Sequence, residues 1–317
     1  MNKEISYGLP TGTVLEGKFY KYEIVRTIGH GSFGITYLAK IKIQGPLGEI
    51  DTNVAVKEFF MPEISVRESS VVTKSGNSKL FLKYKEKFIK EARSLSSVNH
   101  PNIVKVLEAF ECNNTVYYSM SYIEGGSLND LIDKKGQLTE SETIRYTEQI
   151  ASALGAMHAK NMPHLDLKPG NVMLDMTGNQ AILIDFGLSK QYDNEGAPET
   201  STTIGCGTQG YAPIEQYSFT GEVRDRLPVT IDIYSLGATM FKMLTGHRPP
   251  VATDILNDGF PTVDLDEAGV SESTKRVVMS AMDPIRNNRP QNIAQFMTLL
   301  HSAKEDSECT EIDVVGV

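Results

Sequence analysis

Cysteine is scarce in this chain: Cys112, Cys206 and Cys309 are the only three in 317 residues, far apart, odd in number and without a CxxC spacing. That pattern gives no reason to expect a disulfide framework or a thiolate zinc site, and it fits a reducing compartment. Long apolar runs are missing too. The opening "MNKEISYGLP" could not serve as a signal peptide, and nowhere do apolar residues approach the uninterrupted stretch of about twenty that a membrane helix needs. Positive charge is in deficit, with 31 Lys and Arg against 40 Asp and Glu for a net charge of −9. That argues against a nucleic-acid-binding surface as the main role. No internal repeat is visible, and no second histidine stands at metal-site spacing from His158 or His164. The expectation is a cytoplasmic protein, or the cytoplasmic domain of a longer one, with no nucleic-acid partner and no membrane contact of its own.

What is present is ordinary globular material, 40% apolar and 22% charged, and long enough to bury a large core. Residues 1–19 are rich in Gly, Pro and Thr and read as an irregular lead-in. From Tyr22 the pattern turns strand-like in "YEIVRTIG", "GITYLAKIKI" and "NVAVKEFF", the last two joined by the hairpin-type connection "QGPLGEIDT". Residues 61–80 form a polar excursion, readable as a regulatory surface or as a tolerated insertion. Phe81, Tyr84, Phe88, Ala92 and Leu95 then recur at helical spacing, and "IVKVLEAFE" with "TVYYSMSYI" reads as a further strand pair.

After "EGGS" the style changes to mostly helical. Thr139 and Glu142 form a capping box, and Ile144, Thr147, Ile150, Leu154 and Met157 supply the stripe behind it. Two short strand-like pieces flank "DMTGN", an irregular region runs from 188 to about 230, and an apolar helix starts near Ile231. Pro290 is expected in the first turn of another helix. The resulting division is a sheet-rich part over 20–123, a helical part over 124–301, and an acidic tail or linker over 302–317.

Three stretches carry chemistry. "IGHGSFGITYLA" sets Gly29, Gly31 and Gly34 between two strands, where bare backbone can approach an anion and amide N–H groups can cradle phosphate oxygens. The glycines lead into a strand rather than a helix, and no GKS or GKT follows, so neither a dinucleotide loop nor a Walker loop is indicated. Lys57 alternates with Ala55 and Phe59 and so points at an apolar face, which is costly unless an anion meets it. Glu91, on the buried side of the following helix, is its natural partner. Finally, "MPHLDLKPGNVML" gathers a histidine, an aspartate, a lysine and an asparagine ahead of apolar residues. Such a segment reads either as a solvated turn or as a site where an acid, a cation and a metal-reaching amide converge on one small volume.

In order along the chain stand GxGxFG at 29–34, VAVK ending at Lys57, a helix glutamate before "HPNIV", HxDLKPxN from His164 to Asn171, DFG at 185–187, "GTQGYAPIEQY" from Gly207, "DIYSLG" from Asp232, and "NRP" ending at Pro290. Over residues 20 to about 300 the chain therefore resembles a eukaryotic-type protein kinase, and its wording is most similar to bacterial serine/threonine protein kinases. The resemblance implies an α+β, bilobal fold with a sheet-rich N-lobe holding one long helix and a mostly helical C-lobe. It implies ATP and Mg²⁺ as cofactors and a protein substrate with a Ser or Thr acceptor. Gly29, Gly31, Ser32, Phe33 and Gly34 would cover the phosphates, and Lys57, held by Glu91, would contact the α- and β-phosphates. Asp166 would accept the substrate's hydroxyl proton, Lys168 would sit near the transferred phosphoryl, and Asn171 and Asp185 would hold the metal. Met120 would be the gatekeeper, the backbone of Ser121 to Ile123 would read adenine, and Ala55 and Met173 would sandwich its ring. Glu215 would pair with Arg289 as a structural brace, and Asp232 would bond to catalytic-loop backbone.

The chain departs from the family pattern in places. Leu165 stands where an arginine usually meets an activation-segment phosphate, so activity is expected not to depend on phosphorylation of Ser201, Thr202 or Thr203. Lys190 and Arg93 are the possible substitute cations. Two rival readings are weighed against an active kinase. A pseudokinase scaffold would have lost Lys57, Asp166, Asn171 or Asp185, and all four are present. A small-molecule kinase would not need "GTQGYAPIEQY", which resembles a peptide-positioning segment.

Overall fold

The computed structural model describes residues 7–31, 34–46, 48–62, 64–74, 78–185, 207–218 and 228–315, with side chains up to residue 304. The chain divides into two compact units, Met1–Asn99 with Val104–Tyr122, and His100–Ile103 with Ile123–Val317.

The first unit is built on a six-stranded antiparallel sheet in the order β1-β2-β3-β4-β8-β7. Its strands are β1 (Val14–Glu16), β2 (Lys21–Gly31), β3 (Gly34–Gly45), β4 (Gly48–Phe59), β7 (Val106–Cys112) and β8 (Thr115–Ser121). β3 and β4 make one long hairpin whose register runs from Gly34↔Phe59 to Gly45↔Gly48. The hairpin-type connection expected at "QGPLGEIDT" is thus a hairpin, and its strands take in most of that stretch, with Gly48 at φ +120°. Helix α1 (Ser78–Ser96) packs on the sheet. Its expected stripe, Phe81, Tyr84, Phe88, Ala92 and Leu95, is buried throughout. Phe81 meets Phe59 with ring centroids 5.2 Å apart, and Phe88 meets Tyr118 at 5.1 Å. Each such side chain contributes about 1.5–3 kcal/mol by leaving water.

Two segments of this unit are more ordered than expected. The lead-in supplies strand β1, paired to β2 through Leu15↔Tyr22. Beyond it the buried Glu108 carboxylate accepts the backbone N–H groups of Lys18, Phe19 and Tyr20 at 2.9–3.2 Å. The excursion at 61–80 folds into a second small sheet, β5 (Ser65–Glu68) paired with β6 (Val71–Lys74), and the first turn of α1.

The second unit holds α2 (Leu128–Lys135), α3 (Glu140–His158), α4 (Ile214–Ser218), α5 (Thr230–Thr245), α6 (Ala252–Asp258), α7 (Val263–Glu267), α8 (Glu272–Ala281) and α9 (Ile293–Val315), with the hairpin β9 (Val172–Leu174) and β10 (Ala181–Leu183). Thr139 caps α3 reciprocally with Glu142, and Ser127 does the same for α2 with Asp130. α5 is buried from Thr230 to Thr245 apart from Lys242, which makes it the core of the unit.

Pro290 does not open a helix. Arg289 before it is extended (φ −72°, ψ 160°), as residues preceding proline tend to be. The helix starts at Ile293, with the Asn292 side chain accepting from the Gln295 N–H at 2.9 Å as its N-cap. The backbone of α9 stays helical to Val315, through most of the stretch expected as a tail. Among the described residues no helix is long and apolar enough to cross a membrane.

Candidate active site

In the sheet unit, strand register assembles the first group. Gly29 pairs with Thr36, Thr36 with Lys57, and Lys57 with Tyr118, a row across β2, β3, β4 and β8. Gly34 is forced by packing, because a Cβ there would stand 2.3 Å from the Glu58 carbonyl oxygen. Gly29 and Gly31 are different: among the described residues an added Cβ would meet nothing nearer than 3.9 and 3.8 Å, and neither has a positive φ. Within those residues nothing requires their bareness, and it suits a loop whose backbone is approached closely. Ser32 and Phe33 lie outside the described residues.

The Lys57 ammonium donates to Glu91 Oε1 at 3.1 Å, with Glu91 fully buried and the lysine side chain 12% exposed. The Tyr118 hydroxyl donates to the same oxygen at 3.0 Å, and its ring lies 5.7 Å from the ammonium. Two charges taken out of water are tolerable only with such additional hydrogen bonding. Ala55 is buried opposite Met120, also buried. The Ser121 N–H is committed to the Lys105 carbonyl at 2.9 Å.

In the helical unit the second group is built around Asp232 at the start of α5. Its fully buried carboxylate accepts the N–H of His164 at 2.7 Å and that of Leu165 at 2.8 Å, and it contacts His158 Nε2 at 2.7 Å. These bonds hold Leu165 at φ +67°, a conformation unfavourable for a leucine. Burial alone would raise the Asp232 carboxyl, but the hydrogen bond and charge of His158 outweigh it and hold it below the usual carboxylate range. Burial pushes His164 down, against the pull of Asp232, Asp166 and Asp185. Its Nδ1 accepts the Asp166 N–H at 3.3 Å.

Beyond that anchor the polar groups converge on Asp166. Lys168 donates to its Oδ2 at 3.0 Å, Thr208 to its Oδ1 at 3.0 Å, and the Asn171 amide nitrogen to its backbone oxygen at 2.7 Å and its Oδ2 at 3.1 Å. Lys168 also reaches Thr208 Oγ1 at 3.0 Å. The Ile184 N–H donates to the Asn171 carbonyl at 3.0 Å, which brings Asp185, next in the chain and at φ +52°, to the same turn. Asn171's nitrogen is spent on Asp166, so oxygen is what its side chain can offer a cation. With the Asp185 carboxylate this makes an all-oxygen donor pair, the kind Mg²⁺ takes when phosphates and waters complete its shell. Phe186, Gly187, Lys190, Ser201, Thr202, Thr203 and Cys206 lie outside the described residues.

Met173 and Ile123 are both half-buried, Met173 in β9. Farther along, Arg289 binds Glu215 through both terminal nitrogens, at 2.6 and 3.1 Å. The carbonyls of Asp283, Thr230 and Pro284 take the rest of its donors. A fully buried guanidinium is thereby completely satisfied.

Sequence reasoning named His158 only to read it as structural rather than a metal ligand, and it passed over Thr208 and Gln216, whose amide donates to the Leu165 carbonyl at 2.8 Å. It also passed over Glu58, although that residue directly follows Lys57. Thr208 was the most accessible of these, since it sits inside "GTQGYAP".

The protein kinase domain family matches residues 22–310. Among curated relatives, a CBL-interacting serine/threonine-protein kinase 24 from Arabidopsis thaliana is 34% identical, over 74% of this chain and 46% of its own length. The serine/threonine-protein kinase PrkC of Bacillus subtilis is 28% identical, over 82% of this chain and 37% of its own. The chain thus spans less than half the length of these relatives. Among solved structures, the apo form of PpkA-294 superposes with a TM-score of 0.76 at 28% identity, covering 93% of this chain and all of that one. A Rad53 structure in complex with AMP-PNP shares the fold at a TM-score of 0.65 and 22% identity, over 91% of this chain and 67% of that one. With the motifs in family order and a match that takes in both units, the chain belongs to the protein kinase domain family.

Proposed function

We propose that this chain is a serine/threonine protein kinase that moves the γ-phosphoryl of ATP to a protein hydroxyl. The observation that carries the proposal is the convergence of Lys168, Thr208 and Asn171 on the Asp166 carboxylate. Asp166 is oriented by these donors, and it accepts the proton as the acceptor hydroxyl attacks phosphorus and the bond to ADP breaks. Lys168 offsets charge on the transferred group. Asn171 and Asp185 would hold Mg²⁺, which when bound would supply positive charge to offset that of the phosphates. Lys57, steadied by Glu91, takes the α- and β-phosphates under Gly29, Gly31, Ser32, Phe33 and Gly34. Ala55 and Met173 flank adenine, and Ser121 to Ile123 read its edge. Support also comes from relatives named as serine/threonine-protein kinases. Glu215, Asp232 and Arg289 act on the scaffold, not on substrate.

The test is transfer of labelled phosphate from ATP to a generic protein substrate, comparing the unaltered chain with Asp166→Asn. Loss of a general base is expected to cost on the order of 10²–10⁴ in rate, with nucleotide binding kept. Binding of ATP without turnover under any divalent metal would favour a scaffold, and label appearing only on small molecules would overturn the protein-substrate reading.

A further inference from the structure

We infer that Arg67 and Glu58 are positioning residues for the Lys57–Glu91 pair, acting through the hairpin that leads into α1; the inference rests on the kinase reading above. Glu58 follows Lys57 in β4 and points to the opposite face of the sheet, where it is fully buried. Three side chains donate to its carboxylate: Tyr37 at 2.6 Å, Tyr117 at 2.7 Å and Arg67 at 2.5 Å. Burial and then the charge of Glu58 push both phenols up, so both remain donors at any working pH.

Arg67 is where this network leaves the sheet. It lies in β5, inside the excursion, with its side chain 7% exposed. Its Nε donates to the Tyr7 carbonyl at 2.6 Å, its Nη1 to the Ser70 carbonyl at 3.3 Å, and its guanidinium lies 4.8 Å from the Phe60 ring centroid. One side chain therefore joins the lysine strand, the hairpin and the lead-in. A second fastening comes from the buried Val72 of β6, whose N–H donates to the Asn113 carbonyl at 2.9 Å.

The consequence follows from chain connectivity. β6 ends at Lys74 and α1 begins at Ser78. Four links of backbone reach at most roughly 14 Å, so a fixed hairpin restricts where α1 can start. α1 carries Glu91 back to Lys57. A closed circuit results: Lys57 to Glu58 by one peptide bond, Glu58 to Arg67 by an ion pair, the hairpin to α1 by chain, and Glu91 to Lys57 by the second ion pair. A residue that only stabilised the fold would not couple to Glu91.

A double-mutant cycle on the whole chain decides it, using Arg67→Met, Glu91→Gln and both together, with kcat/KM for phosphoryl transfer and the Kd of an ATP analogue as readouts well below each variant's melting temperature. Arg67→Met is expected to lower kcat/KM about tenfold alone and to have little further effect beside Glu91→Gln, as for residues acting through one network. Arg67→Lys, which keeps the charge but loses the fork to Tyr7, is expected to fall between and serves if the methionine variant does not fold. Additive losses, or a lower melting temperature with kcat/KM and Kd unchanged, would overturn the inference. If the unaltered chain transfers no phosphoryl, the functional reading falls, and the same cycle read in Kd alone still judges Arg67.

Discussion

The two units each bury a carboxylate beside the candidate catalytic groups, and they use it differently. In the helical unit Asp232 accepts backbone N–H groups from His164 and Leu165, together with the His158 ring. In the sheet unit Glu58 accepts, among the described residues, side-chain donors alone, from Tyr37, Tyr117 and Arg67. A carboxylate bonded to backbone dictates local conformation, and here it holds Leu165 at a φ the residue would not choose. One bonded to side chains dictates which elements dock, and here it fastens a hairpin to a strand. The contrast extends to the reactive groups. Among the described residues Asp166 is gripped by side chains from one loop and its neighbour, whereas Lys57 meets a carboxylate delivered by a separate helix.

That comparison can be attacked in order of expected effect. Lys57→Met should cut turnover on the order of 10²–10³, as loss of one charge-stabilising group does, while leaving the melting temperature close to that of the unaltered chain. If thermal denaturation instead showed a collapsed fold, the lysine would be a structural residue. Asp232→Asn should cost about 1–3 kcal/mol of stability in chemical denaturation, because an amide cannot accept from all the donors and leaves one buried N–H unpaired. Its pH dependence sharpens the point. A carboxyl held low in the fold contributes fully above the ordinary carboxylate range and loses that contribution as pH falls through its folded value. The stability gap between the unaltered chain and Asp232→Asn should therefore be flat near neutrality and shrink in acid; a gap that widens in acid would refute the assignment. The smallest effect is expected for Ser201, Thr202 and Thr203 replaced together by alanine, which lie outside the described residues. With Leu165 in place of an arginine, transfer rates should stay within a few-fold, and abolished activity with an intact fold would show that another cation reads a phosphate there.

Much of the architecture was legible because it is local. The stripe from Phe81 to Leu95 is a matter of helical period, and the Thr139 cap is a matter of three-residue spacing. Pro290 misled for a local reason as well. A proline suits a first helical turn, but Asn292, two residues on, supplies the cap, and the helix starts at Ile293.

By itself the sequence determined which reactive groups exist, their order, and the face on which Lys57 must lie, because alternation and spacing are properties of neighbouring residues. Only the tertiary structure decided that Glu58 meets Arg67 and Tyr117, that Thr208 and Asn171 both turn to Asp166, and that His158 shares Asp232 with the catalytic loop. Most of those partners are 9 to 74 positions apart, and their meeting depends on sheet register and helix packing, which no short window of residues contains.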